Sequence, residues 1–465
     1  MDQSQLIEQL FTEIKELKER VAHLEIVENE NLKLRQENTV LRQKLSKYEN
    51  PKNSRNSSVP PSKDENRPSK TKSLREKTDR KIGGQEGHQG NTLKMSENPD
   101  QIIEHLPDFC SQCGYDLQDV AEEFMGKRQV VDIPVIKPAY TEHRIYQRTC
   151  NCGHSTCSDY PQNVKASISY GANTESLVGY LYSRQYIPFE RMREFFNDAF
   201  SLPISEGGIH ELLKRLANKA TPAYHMIKEK IEASKVVGAD ETGAKINGKK
   251  CWVWSWQNDK LTFIAPSENR GFATIESNFE SGFQNAVLIH DCWRSHFQTP
   301  TLDHQLCTAH LLRELNYFIE VHKDPWSIKF RRLLLDSLEV KQKMKQDDYY
   351  RCHPSKTDIE SRFKKLLEQN VDDKIAELVS FHKRMVKYKD YIFNYLKYPD
   401  VPPDNNGSER AIRNIKVKQK ISGQFKSFAG AMNFAILRSI TDTAIKNGQN
   451  VLSALFTVAE LKVTD

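Results

Sequence analysis

The sequence predicts an α/β core with a helical insertion, preceded by a coiled coil, a disordered basic linker and a small β-rich module with metal-ligand spacing. Three patterns predict it. Short β-branched and aromatic runs alternate with turn residues from Lys235 to Asp291. The first 48 residues carry apolar positions spaced alternately three and four apart. Five of the nine Cys fall between Cys110 and Cys157.

The chain has 465 residues, enough for two to four domains at roughly 100–200 residues each. Its net charge of +6 is mild for that length, so the distribution of positive charge matters more than its sum. No run of 18 apolar residues occurs and the N-terminus is polar, which predicts a soluble, cytoplasmic protein with no membrane partner. Nine cysteines in a chain without a secretion signal favour thiols and metal ligands over a disulfide framework.

Over 1–48, Ile7, Leu10, Ile14, Leu17, Val21 and Leu24 form an a/d seam that Glu28 interrupts. Asn31, Leu34, Asn38, Leu41 and Leu45 resume it in a shifted phase. Roughly five to six heptads without Pro or Gly predict a helix that self-associates as a homodimer or higher oligomer; the alternative is one helix packed on its own protein. Residues 49–100 form a linker that lacks the aliphatics to bury a core. Within 51–90, ten Lys/Arg face five Asp/Glu, so the segment either tracks phosphates or simply keeps the chain soluble.

Residues 101–165 open with Cys110-Ser-Gln-Cys113-Gly114, a knuckle that aims two thiolates at one ion. Cys150, Cys152, His154 and Cys157 follow after strand-like stretches at 128–136 and 140–148. Four thiolates on one Zn²⁺ would staple a module that otherwise lacks a core. Cys110 and Cys113 are one pair; the second is drawn from Cys150, Cys152 and Cys157. Residues 166–234 read as helices punctuated by Pro188, Pro203 and Pro222, either a helix-turn-helix reader of DNA ends or the front of the next domain.

The final unit spans 235–465. KVVGAD ends in Asp240, Asn247-Gly248 turns the chain into CWVWSW, and Asp259-Lys260 turns it into LTFIAP. After a helical stretch at 271–280, AVLIHD makes a fourth strand ending in Asp291, 51 residues beyond Asp240. A charged helical insertion at about 303–400 leads to DNNGSERAIR, which places Glu409 in the first turn of a helix, 118 residues beyond Asp291. Two acids at neighbouring strand ends and one on a late helix are what phosphoryl transfer with two metal ions requires. The alternative is that the acids cap loops and that Glu409 merely favours a helix N-terminus. Glu241 and Thr242 are expected to support the site from behind, and His290 and His296 are weaker candidates.

At these residues the chain resembles the IS66-type transposases of the DDE superfamily. GADETG, IHDCWRSHF, LCTAHLLREL and DNNGSERAIRNIKVKQKISGQFKS carry the resemblance. The zipper-like start, basic arm and Cys region follow the same order, though the second Cys cluster is tighter than the expected Cys-x-x-Cys. The resemblance implies an RNase H-like catalytic fold with Asp240, Asp291 and Glu409 as its acids, holding two Mg²⁺ ions with Mn²⁺ as an alternative. It implies cleavage at the terminal inverted repeats of an insertion sequence and strand transfer into target DNA. It also implies a nucleoid-associated bacterial protein, with small accessory proteins encoded in the same element. Cys307 and His310 match a Cys/Asp-x-x-His signature of such enzymes and are expected to support the site, an ordinary buried helix start being the alternative. Arg410, Arg413, Lys416, Lys418 and Lys420 follow Glu409 and are expected to contact DNA phosphates. Trp252, Trp254 and Trp256 share one strand face, suited to core filling more than to stacking on bases. A metal-dependent nuclease without joining activity, or a non-catalytic dimeric zinc-containing DNA-binding regulator, are the rival functions.

Overall fold

The computed structural model describes residues 3–49, 52, 93–161, 164 and 166–461. The basic linker at 49–100 therefore lies outside the described residues, apart from Glu49, Lys52 and 93–100.

The predicted zipper is one continuous helix, α1 (Gln3–Glu49), which runs through Glu28 without a break. Its seam residues Ile14, Leu17, Val21, Leu24, Leu34, Leu41 and Leu45 are all exposed in the single chain. Strands β1 (Gln147–Thr149) and β2 (Ser155–Cys157) pair antiparallel as a hairpin. The stretches expected to be strands at 128–136 and 140–148 are otherwise not strands. Their apolar side chains, Val130, Ile133 and Val135 among them, are exposed, and no strand or helix among the described residues covers them. An alternating pattern becomes a strand only where a neighbour takes up its hydrogen bonds and covers a face.

Next come α2 (Ala172–Ser183), α3 (Phe189–Phe200) and α4 (Glu206–Glu232). Pro188 caps α3 and Pro203 lies between helices, but α4 continues through Pro222, which was expected to punctuate. Leu212, Leu213, Leu216, Tyr224, Ile227 and Ile231 on both sides of it are buried. That packing outweighs the ~3 kcal/mol an interior proline costs.

A five-stranded sheet follows, built of β3 (Val236–Ile246), β4 (Lys249–Gln257), β5 (Thr262–Ser267), β6 (Phe283–His290) and β7 (Thr301–Leu306). The strand order is β5-β4-β3-β6-β7; the first three are antiparallel, and β6 and β7 run parallel to β3. Asn247 and Gly248 have φ of 47° and 77°, the left-handed pair that a tight hairpin turn needs, as their sequence predicts. Helices α5 (Phe272–Asn278) and α6 (Arg294–Phe297) flank β6. Strand β7 was not foreseen, and the expected insertion boundary near 303 falls inside it. His304 and Gln305 are buried polar residues that mask its strand pattern.

The helical segment proper comprises α7 (Thr308–His322), α8 (Pro325–Lys343), α9 (Pro354–Leu367) and α10 (Ala376–Lys387). Then α11 (Asn406–Ser422), α12 (Phe428–Lys446) and α13 (Val451–Glu460) return to the sheet. The sheet separates two apolar cores. One joins α2, α4, α12 and α13 to Val237, Trp254, Trp256, Ala286 and Leu288. The other joins α7–α10 to Val287, Ile289 and Leu306. Residues 166–234 thus share the core of the sheet instead of standing apart. Alternate residues of β6 feed opposite cores, as expected of a parallel strand covered on both faces.

Candidate active site

Asp240 is not at a strand end: β3 continues to Ile246, with Asp240 opposite Ser255 of β4. On its other side, the parallel ladder with β6 ends at Gly238 opposite Ile289, and β6 itself stops at His290. Two residues further along each chain are Asp240 and Asp291, so the register carries both acids to the same level beyond the end of β6. Helix α11 brings Glu409 to them in its first turn. Burial pushes the Asp240 carboxyl well above the usual carboxylate range, reinforced by the negative charges of Glu241, Asp291 and Glu409. Asp240 Oδ1 accepts from the Glu241 N–H (2.9 Å), and Asp291 Oδ1 from the Trp293 N–H (2.8 Å).

A local weld explains why α11 starts where it does. Asn405 Nδ2 donates to the Ala239 carbonyl (2.7 Å), while Asn405 Oδ1 accepts from Ser408 Oγ (2.6 Å). The Asn405 N–H donates to Cys307 Sγ (3.2 Å), and the Thr308 N–H to the Pro403 carbonyl (2.9 Å). A single buried Asn thus ties the strand of Asp240, the helix of Glu409 and the start of α7 together. Gly238 makes the approach possible: a Cβ there would lie 2.6 Å from Asn405 Oδ1 and 2.8 Å from Ser408 Oγ.

Cys307 and His310 both reach Glu409. The Cys307 thiol, His310 ring and Glu409 carboxylate offer ligand atoms within 4.8 Å of one another, the only such metal-holding group among the described residues. Burial pushes the Cys307 thiol up to about 12, so it is a protonated hydrogen-bond partner here. Burial and then Arg313 lower His310. Arg313 Nη2 makes an ion pair with Glu409, whose carboxylate lies 3.7 Å from His310 Nε2. Asp240 and Asp291 are not part of that group, so among the described residues the three acids do not bring an oxygen each within 4.8 Å of one another; the negative charge that Asp291 and Glu409 set around Asp240 is what a divalent cation would relieve.

Behind the acids, Glu241 is buried and accepts from Arg270 Nε (2.8 Å), with His296 Nε2 at 3.2 Å. Burial raises its carboxyl, but the hydrogen bond and charge of His296, then those of Arg270, outweigh this and hold it below the usual range. His296 Nε2 also lies 3.9 Å from Asp291. His290 stacks on His296 with centroids 4.9 Å apart, and its Nε2 is 3.0 Å from His304 Nδ1. Burial and the neighbouring imidazoles keep His290 far below its ordinary value, and burial foremost takes His304 to about 4, so these two rings are neutral.

The basic run after Glu409 does not act as one face. Arg410, Arg413 and Lys420 are exposed. Lys416 is half-buried and donates to the Gly243 carbonyl (2.5 Å). Lys418, expected to contact phosphate, is buried over the Tyr182 ring at 4.0 Å. At 100° per residue, Lys418 lies on the face of Ile415 and Ala411, turned towards the core. Among the tryptophans, Trp254 and Trp256 are fully buried and stacked, while Trp252 at the outer end is half-buried. Sequence reasoning missed Asn405, Arg270, Arg313 and Trp293; the DNNGSER and DCWR strings contain two of them, but nothing in their spacing distinguishes them.

The Cys region carries two similar turns. The Cys110 N–H donates to the Tyr115 carbonyl (2.8 Å) and the Gly114 N–H to that of Cys110 (2.9 Å). The Cys150 N–H donates to the His154 carbonyl (2.8 Å) and the Gly153 N–H to that of Cys150 (2.8 Å). Gly114 and Gly153 sit at φ of 74° and 87°, which only glycine adopts freely. The backbone N–H of Cys113 lowers Cys110, and that of Cys152 lowers Cys150, so each turn favours a thiolate. No three of these cysteines, Cys157 included, bring their sulfurs within 4.8 Å of one another among the described residues.

Fold and site together define a mixed α/β protein whose acids gather where one strand outruns its neighbour, beside a helix with exposed arginines. The model of the family described as "Transposase IS66 family" matches residues 168–433, more than half of the chain, and the chain belongs to that family. It is thus a transposase by family, a DNA-processing protein. A second model, of a family of unknown function (DUF6444), matches residues 2–94. No match was found among curated proteins. Among the described residues, no helix is long and apolar enough to cross a membrane.

Proposed function

We propose that this transposase cleaves DNA at the terminal inverted repeats of its element and joins the freed 3′ ends to target DNA, with Asp240, Asp291 and Glu409 as its acids. The observation that carries the reading is the parallel register, Gly238 opposite Ile289, which sets Asp240 beside Asp291 within the charge field of Glu409. The order β5-β4-β3-β6-β7, with three antiparallel strands leading into a parallel pair, supports an RNase H-like core.

Asp240, Asp291 and Glu409 would hold divalent cations, Mg²⁺ or Mn²⁺, which supply activation of the attacking oxygen and charge neutralisation at the leaving one. Each protein group then has a task. Asn405 keeps Glu409 at a set distance from Asp240. Arg313 holds the Glu409 carboxylate by an ion pair and so sets its orientation. Arg410, Arg413 and Lys420 line the exposed side of α11 for the DNA backbone. The exposed seam of α1 pairs two copies of the chain, and the two Cys turns would offer thiolates to a structural Zn²⁺.

The test is cleavage and joining of a labelled duplex carrying the ends that flank the gene, with Mg²⁺, for wild type and Asp291→Ala. Joined product from the wild type, reduced at least about a hundredfold in the variant, is expected of a residue that acts through the metal site. Nicks without joining, lost in the variant, would replace the reading with a nuclease. Binding without any product, with or without the accessory proteins of the element, would leave a DNA-binding regulator.

A further inference from the structure

Trp293 stands two residues after Asp291 and is 37% exposed, the exposed one of the five tryptophans. Its position is fixed from three sides. Its backbone N–H donates to Asp291 Oδ1 (2.8 Å), and its indole Nε1–H donates to the Arg270 carbonyl (3.4 Å). The Arg270 guanidinium lies 3.7 Å from the centre of its ring and covers that face. Arg270 is held in turn by the buried carboxylate of Glu241, and its other side faces Trp252 at 4.8 Å. Lys250 reaches the Trp252 ring from 5.3 Å, and Arg294, next to Trp293, is exposed.

Such a tryptophan does not fill the core; it is clamped at the surface at one end of a cation–aromatic row, its ring backed by a charge and its carboxylate neighbour in the acid cluster. A flat aromatic surface with cations around it suits one ligand chemistry beside a phosphate-processing site: an unpaired nucleobase whose backbone passes the acids. A duplex whose phosphate must reach a half-buried carboxylate cluster has reason to unpair locally, which costs a few kcal/mol that stacking on a ready-made platform offsets. Stacking tolerates any base, so the platform would serve strand geometry and leave sequence reading to other parts of the chain.

We propose that Trp293, backed by Arg270, is a stacking platform for an unpaired base of the DNA strand at the Asp240–Asp291 site. The proposal rests on the transposase reading and adds to it a binding site for an unstacked base.

The test uses the full chain without added Mg²⁺, so that binding is read apart from chemistry. Two labelled duplexes of one sequence are compared, with 2-aminopurine at the end either paired or in a short unpaired tail. The wild type should prefer the unpaired tail and quench its 2-aminopurine. Trp293→Leu should lower the ratio of the two affinities about five- to hundredfold and abolish the quenching, and Trp293→Phe should restore part of both. Phe and Leu fill similar space, so a fold defect would move both variants together, whereas loss of stacking separates them. A wild type with no preference, no binding to either duplex, or a Leu variant that keeps the wild-type ratio and quenching would overturn the proposal. The transposase reading is judged separately by Mg²⁺-dependent joined product from the wild type, so either can fail while the other stands.

Discussion

Lys418 shows how a single residue can be misassigned by its charge. It lies in a run of basic residues after Glu409, yet its amine is buried against Tyr182, and burial lowers it to about 8 from its ordinary 10.5. A folded-state value below the unfolded one means that the native chain binds fewer protons between those limits. The cost of burying the charge is therefore carried in full below about pH 8, and stability rises as pH passes from about 8 to 10.5. Lys418→Met should stabilise the protein at neutral pH by on the order of 1–3 kcal/mol, with the gain fading towards pH 10.5. Urea unfolding of both proteins at neutral and alkaline pH checks this; a gain that does not change with pH would show that the charge is not the cause. Asn405 is the opposite case, an unremarkable amide in sequence whose two arms join β3 to α11. Asn405→Ala leaves the Ala239 carbonyl without that donor, so about 1–3 kcal/mol of stability should be lost. If Asn405 positions Glu409, joining activity should fall further than the unfolded fraction accounts for.

At the scale of elements, the meeting of α11 with β3 decides the site. Gly238 is the point of contact, and no side chain fits between it, Asn405 and Ser408. Gly238→Ala should push the first turn of α11 outward, cutting metal-dependent activity at least about tenfold while costing about 1–3 kcal/mol of stability, the usual range for an overpacked contact. Activity and melting temperature measured together test it, and full activity would mean that α11 has room to shift without moving Glu409. The elements themselves were largely legible. The β3–β4 hairpin follows from Asn247-Gly248, β6 from AVLIH, and α1 from its seam, because each rests on local periodicity or turn chemistry. Strand β7 and the continuity of α4 through Pro222 were not, because both depend on what packs against them. Gln305 of β7 is satisfied by donating to the Leu306 and Ile392 carbonyls, the latter far along the chain and invisible to a local pattern.

At the scale of the whole molecule, the 47-residue helix α1 carries an apolar seam whose described residues, from Ile14 to Leu45, are exposed. Replacing Leu17 and Leu24 together by Glu should convert the dimer expected of the full chain to monomer and reduce binding to paired element ends, which two linked copies hold more tightly than one. Light scattering at micromolar concentration checks the first effect. A wild type that is already monomeric would remove α1 from assembly.

What the sequence by itself determined is the set of local segments and the chemistry available to them: a zipper-like helix, one Cys-x-x-Cys-Gly knuckle, a hairpin, and acids at Asp240, Asp291 and Glu409. Those features depend on neighbours a few residues away, so spacing alone reveals them. Only the tertiary structure decided that β3 outruns β6 beside Asp240, that Arg313 and His310 gather on Glu409, that Lys418 turns inward, and that Arg270 and Trp293 stack by the acids. Each of these joins residues that are distant in the chain or set by which face of an element is covered. Register and helix rotation are chosen by packing over the whole core, and no local window contains that information.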